Sequence, residues 1–93
     1  MKTVRRVVRR EKTAEIVLEI HNCRILRASI AGDFFAYPET CIEDLERRLL
    51  GCGSEECIRA AFEAMRGFEV VGVSWRDLEE AVVDGWREAC GSS

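Results

Sequence analysis

Residues 14–20, AEIVLEI, alternate strictly, with Ile16, Leu18 and Ile20 on one side. That period of two predicts a half-buried strand. His21-Asn22 interrupts it, and Asn tolerates left-handed backbone geometry. Residues 23–31, CRILRASIA, resume the alternation with Leu26, Ala28 and Ile30 on one face. The two segments together predict an antiparallel hairpin. Its turn lacks Gly, which leaves the turn type open. Residues 3–9, TVRRVVR, are rich in β-branched Val and predict another strand, or a backward extension of the first.

After Gly32-Asp33 the period changes. Thr40 stands before CIEDLERRLL with Glu43 three positions on, a capping-box pattern in which hydroxyl and carboxylate satisfy orphan amides reciprocally. A start one turn earlier, with Pro38 in the first turn, is equally allowed. Ile42, Leu45 and Leu49 form the inward stripe, and Gly51 supplies a stop. Ser54 opens a second helix, with Glu55 and Glu56 in the turn that the helix dipole makes favourable to anions. Ile58, Ala61, Phe62 and Met65 face inward, and Gly67 ends it. FEVVGV reads as a short extended piece. Ser74 with Asp77 caps a third helix, whose apolar stripe is Leu78, Ala81, Val82, Gly85, Trp86 and Ala89. It is expected to fray into the Gly-Ser-Ser tail.

Strands first and helices after them predict an α+β fold, a small antiparallel sheet packed on one face by three helices. Ninety-three residues suit a single domain, 1–93, with a thin stability margin. Within it, 1–12 reads as a basic arm or edge strand and 13–91 as the body. A hydrophobic share of 47% against 33% charged residues is that of a folded chain rather than a disordered one. No apolar run approaches the roughly 20 residues that span a bilayer, and MKTVRRVVRR has no apolar stretch after its charges, as a secretory signal would. A cytoplasmic chain is therefore expected.

The net charge of −3 is unevenly spread. Residues 1–12 carry six basic groups against one acidic, and the rest carries eight basic against sixteen acidic. A basic arm on an acidic body fits either a phosphate-bearing or acidic partner, or a charged edge strand that deters edge pairing. The five cysteines (Cys23, Cys41, Cys52, Cys57, Cys90) show no CxxC, and His21 is the only histidine. Zinc spacing is absent and no metal site is expected. Cys41, Cys57 and Cys90 lie near apolar helix positions, so the cysteines read as small buried hydrophobes in a reducing compartment, not as a disulfide framework.

Catalytic signals are sparse. There is no GxGxxG or GxxxxGK[ST]. The carboxylate pairs Glu43/Asp44, Glu55/Glu56 and Glu79/Glu80 fall on helix surfaces and read as solvated faces. A free-standing enzyme is therefore not expected. The concentrated signal is SIAGDFFAYPE, residues 29–39. If 33–36 stay extended, Phe34 and Phe35 point to opposite sides. One can enter the core while the other packs on a helix, lies exposed or meets a partner; in the plain structural reading both aromatics belong to the core. Asp33 either accepts hydrogen bonds from nearby amides or supports that contact.

ASIAGDFFAYPE followed by CIEDLERRLLGC closely resembles the C-terminal accessory domain of lipoate–protein ligases, in the stand-alone form of many archaea. The match runs from Ile30-Ala31-Gly32-Asp33-Phe34-Phe35 through Tyr37-Pro38, Leu45-Glu46 and Leu50-Gly51. It continues more weakly through Gly67, Gly72-Val73-Ser74 and Asp77-Leu78. Two departures stand out. His21-Asn22-Cys23 replaces the family's glycine-bearing turn, and the leading Arg-rich segment is longer and more basic. The resemblance implies a non-catalytic subunit with no cofactor of its own. A partner catalytic subunit would bind ATP, Mg and lipoate, form lipoyl-adenylate, and pass the lipoyl group to a lysine of lipoyl domains of 2-oxoacid dehydrogenases or of the glycine cleavage H protein. Asp33, Phe34, Phe35 and Tyr37 are the candidate interface or corner-supporting residues, with no catalytic residue named. The competing readings are a generic α+β protein-interaction adaptor and a nucleic-acid-binding module using the basic arm.

Overall fold

A computed structural model describes residues 1–91. Strands β1 (Lys2–Arg9), β2 (Thr13–His21) and β3 (Arg24–Gly32) form an antiparallel sheet in that order. The N-terminal segment is thus an edge strand. The period-two pattern decides which side is covered: Val4, Val8, Ala14, Ile16, Leu18, Ile20 and Ile30 are all buried on one face. Register pairs Ile16 with Ile30 and Val8 with Ala14. Gly32 closes β3 because nothing larger fits, since a Cβ there would lie 2.1 Å from the Thr13 carbonyl oxygen.

The hairpin turn consists of Asn22 and Cys23, with φ 52° and 64° between the paired His21 and Arg24. Two left-handed residues in a two-residue loop are the type I′ geometry that matches strand twist. Cys23 is an unusual occupant of that region. It is held there by Trp86, whose Nε1 donates to its carbonyl at 2.8 Å, and by a disulfide to Cys90.

Leu26 departs from its expected face. Glu19 pairs with Arg27 but Ile20 pairs with Ile25, so Leu26 is the extra residue of a bulge. A bulge flips the alternation beyond it. Ile25 is consequently buried and Leu26 is 49% exposed.

Helices α1 (Cys41–Leu49), α2 (Glu55–Glu63) and α3 (Trp75–Cys90) cover the apolar face. α3 lies on β1 and β2, α1 on β3, and α2 joins α1 to α3. The α+β expectation holds, with one addition: β4 (Phe35–Tyr37) and β5 (Glu69–Val71) form a separate two-stranded antiparallel ribbon. α3 lies close on the sheet at Gly85, where a Cβ would meet Val4 Cγ1 at 3.1 Å. Gly91 closes α3 in left-handed geometry. The remainder of the tail, 92–93, lies outside the described residues.

Two caps form as expected and one does not. The Ser54 hydroxyl accepts from the Cys57 amide. Ser74 and Asp77 form a reciprocal box. Thr40 makes no cap, because its φ of −75° and ψ of −7° already place it in a turn that starts at Pro38. A cap residue needs extended dihedrals for its side chain to reach forward. The inward stripe of α1 is Cys41, Leu45 and Leu49, with Ile42 half-buried.

The cysteines correct the sequence reading most plainly. Cys23–Cys90 and Cys52–Cys57 are disulfides, and Cys41 alone is a free, buried thiol. Cys57 is exposed and Cys90 only half-buried, so neither is a core filler. The reading of five reduced cysteines therefore fails. Cys23 and Cys90 are 67 residues apart and meet only because α3 runs back to the hairpin turn. In the chain-entropy view that loop is worth about 4 kcal/mol, against about 2 kcal/mol for the short one. Among the described residues no helix is long and apolar enough to cross a membrane.

Candidate functional site

The GDFF corner is built by an exchange between the end of β3 and the start of β2. The Asp33 amide donates to the Thr13 carbonyl at 3.2 Å, and the Thr13 amide donates to Asp33 Oδ1 at 2.8 Å. This clamp fixes where the chain leaves the sheet. Phe34 then turns inward, half-buried against the core. β4 follows, paired as Phe35–Val71, Ala36–Val70 and Tyr37–Glu69.

Alternation sorts the ribbon into two faces. Ala36 and Val70 pack against the core. Phe35 and Tyr37 point out, 70% and 73% exposed, beside Val71 at 50%. Phe68, just ahead of β5, is also partly exposed, and its carbonyl accepts from Trp75 Nε1 at 3.0 Å. The two outward aromatics alone offer about 300 Å² to a partner. At about 25 cal/mol/Å² that is roughly 7 kcal/mol before ordering and association costs. Isolated exposed apolar residues are ordinary, but neighbouring aromatics on a rigid ribbon form a contiguous patch of the kind that marks interaction sites.

The structure therefore brings Asp33, Phe34, Phe35 and Tyr37 into one corner but divides them. Asp33 and Phe34 build it, while Phe35 and Tyr37 face outward. Val71, Glu69 and Phe68 complete the surface and were not read from sequence. The alternation in FEVV was the available signal, but its partner lay more than thirty residues upstream. Glu46 was also missed as a structural group. Its carboxylate accepts from the Ile30 amide at 2.7 Å and so caps the outer edge of β3.

Three of the basic arm's six cationic groups are used internally. Arg6 pairs with Asp84 and Glu88, Arg5 with Glu15, and Arg10 with Asp77 at 3.3 Å. Arg6 and Arg10 thereby tie the basic arm to the acidic face of α3, while Arg5 pairs within the sheet.

Convergent chemistry is not assembled. His21 is exposed beside the hairpin turn. Among the described residues no group of three or more His, Cys, Asp or Glu could hold a metal ion. The Glu55 carboxyl is held low by its bond to Arg87 and then by Arg59. Burial pushes the Asp77 carboxyl up, but Ser74 and Arg10 outweigh it and leave it low. Burial pushes the Cys41 thiol up, away from reactivity. These are groups of ion pairs, caps and core. A surface depression of about 410 Å³ lies between β1 and α3 and is lined by Arg10, Asp77 and Asp84.

No family model matches the chain, and no curated protein does. Among solved structures the chain is similar to one from an archaeal lipoylation system of Thermoplasma acidophilum, a bi-partite lipoate protein ligase and its E2 lipoyl domain. The likeness has a TM-score of 0.67 and 27% identity, and it covers 87% of this chain and 92% of that one. It supports a role connected with lipoylation.

Proposed function

We propose that this chain is the non-catalytic accessory subunit of a two-chain lipoate–protein ligase. The observation that carries this reading is the likeness to a chain of a bi-partite ligase system, which runs nearly end to end in both chains. The outward aromatic ribbon supports the reading, because it is the kind of surface an obligate partner covers. In this account a catalytic chain holds ATP, Mg and lipoate and forms the lipoyl-adenylate. The accessory chain docks through Phe35 and Tyr37 while Asp33 and Phe34 hold the corner in place. Docking acts indirectly, by ordering the catalytic chain's loops so that water is excluded and charge stabilisation is pre-organised.

The test is transfer. A catalytic ligase chain, ATP, Mg, lipoate and a lipoyl domain are incubated with and without this protein, and lysine modification is read by mass. The proposal expects the lipoyl domain to gain the lipoyl mass only when both chains are present. Equal modification without this protein overturns it. A mass gain on Lys2 or Lys12 of this chain would also overturn it, making the chain an acceptor.

A further inference from the structure

The ribbon's apolar face carries a one-sided charge border. Glu69 stands opposite Tyr37 on β5. Glu39, in the turn after Pro38, lines a depression with Phe34, Phe35 and Ile42. Glu43, on α1, lines another with Pro38 and Phe68. The three carboxylates come from three elements, all are exposed, and none has a cation within ion-pair distance among the described residues. Glu43 is free because Thr40 forms no capping box with it. The nearest cation in that depression is Arg47, which faces Asp44 at 3.9 Å. Elsewhere on this molecule many surface carboxylates are paired, as Glu55 is with Arg59 and Arg87, Glu79 with Arg59, and Asp84 with Arg6. Among the described residues Glu56 and Glu80 are unpaired too, but they stand on separate helices with no exposed aromatic pair between them. At the opposite end of the ribbon stands a cation, Lys12, whose amide donates to the Gly72 carbonyl at 3.0 Å.

We infer that the partner surface seated on Phe35 and Tyr37 is an apolar recess bordered by Lys and Arg side chains on the Glu39–Glu43–Glu69 side. The inference rests on the proposed function for the identity of the occupant, the catalytic ligase chain. It adds the chemistry of that chain's docking face and its orientation. An apolar anchor with a same-sign border is the arrangement in which hydrophobic burial supplies affinity while the border sets register and steers encounter. Such steering fades as salt shortens the Debye length. The Lys12 end fixes polarity, since a basic border lying there instead would meet like charge.

The experiment is binding of this protein to the catalytic chain of a bi-partite lipoate ligase from the same organism, read by calorimetry at low and high salt. The border variant is Glu39→Lys/Glu43→Lys/Glu69→Lys. A variant of equal net charge, Glu56→Lys/Glu80→Lys/Glu88→Lys, changes exposed glutamates of α2 and α3 away from the ribbon. Circular dichroism melts verify that each is folded, and a Glu39→Gln/Glu43→Gln/Glu69→Gln variant serves if the Lys version is not. The border variant is expected to weaken binding by roughly tenfold or more and to lose most of the wild-type salt dependence, with the distant variant within about threefold of wild type. Equal losses in the two Lys variants, or a border variant that binds like wild type, overturn the inference and leave the subunit reading standing. No complex with wild-type protein at low salt overturns both.

Discussion

Phe35 and Asp33 are two residues apart and act in opposite directions. The Asp33 carboxylate points back to the Thr13 amide, whereas the Phe35 ring stands 70% exposed on the ribbon. Phe35→Ala should therefore leave the fold within about 1 kcal/mol of wild type, since little is unburied. It should still weaken binding to the catalytic chain at least tenfold, the loss of a central aromatic anchor. Asp33→Ala should cost about 1 kcal/mol of stability by orphaning one exposed amide, and should affect binding only through a shifted corner, by a few-fold. Urea melts and calorimetry on the two variants separate these effects. A Phe35→Ala protein that unfolds, or that binds unchanged, would remove the ring from the interface. The sequence made the division of Phe34 from Phe35 legible, because adjacent residues of an extended segment must face apart. Which of the two faces out depended on pairing with Val71, a contact between distant segments that no local pattern carries.

At the scale of elements, the helices were legible where local chemistry decides. Ser74 and Asp77 form their box because both groups lie within one turn. Thr40 and Glu43 share the same spacing but fail, because the entry at Pro38 leaves Thr40 in helical dihedrals. The bulge that turns Leu26 outward was equally hidden, being a property of two strands in register. The ion pairs between elements give a pH signature. Glu55 and Asp77 both have folded-state pKa values below their ordinary ones. Depressed carboxylates contribute stability that is present above the unfolded pKa, about 4, and lost as pH falls through the lower folded value. Melting temperature should accordingly hold from about pH 7 to 5 and fall progressively below about 4. Glu55→Gln and Asp77→Asn should each flatten the fall. A wild-type curve that rises on acidification would contradict these assignments.

At the scale of the whole molecule, the two disulfides link what the chain order separates. Cys23–Cys90 ties the hairpin turn to the end of α3, and Trp86 reinforces the same junction. Denatured, unreduced protein should show one titratable thiol, Cys41, and five after reduction. Losing the long-loop bond should cost about 4 kcal/mol, which in a domain of this size lowers the melting midpoint by roughly 20 °C. Five thiols before reduction, with a midpoint indifferent to reductant, would restore the reading of five reduced cysteines. The long closure joins a strand turn to a helix end, so cysteine spacing alone offered no trace of it. A shorter but still non-local separation lies between Phe35 and Val71, which is why both the staple and the full outward face of the ribbon emerged only with the fold.

The most direct test of the central claim is lipoate-dependent pyrophosphate release by a catalytic lipoate-ligase chain, measured with and without this protein. The account predicts release only when both chains are present, and a marked loss when Phe35→Ala replaces the wild-type accessory chain. Full release by the catalytic chain alone would contradict it.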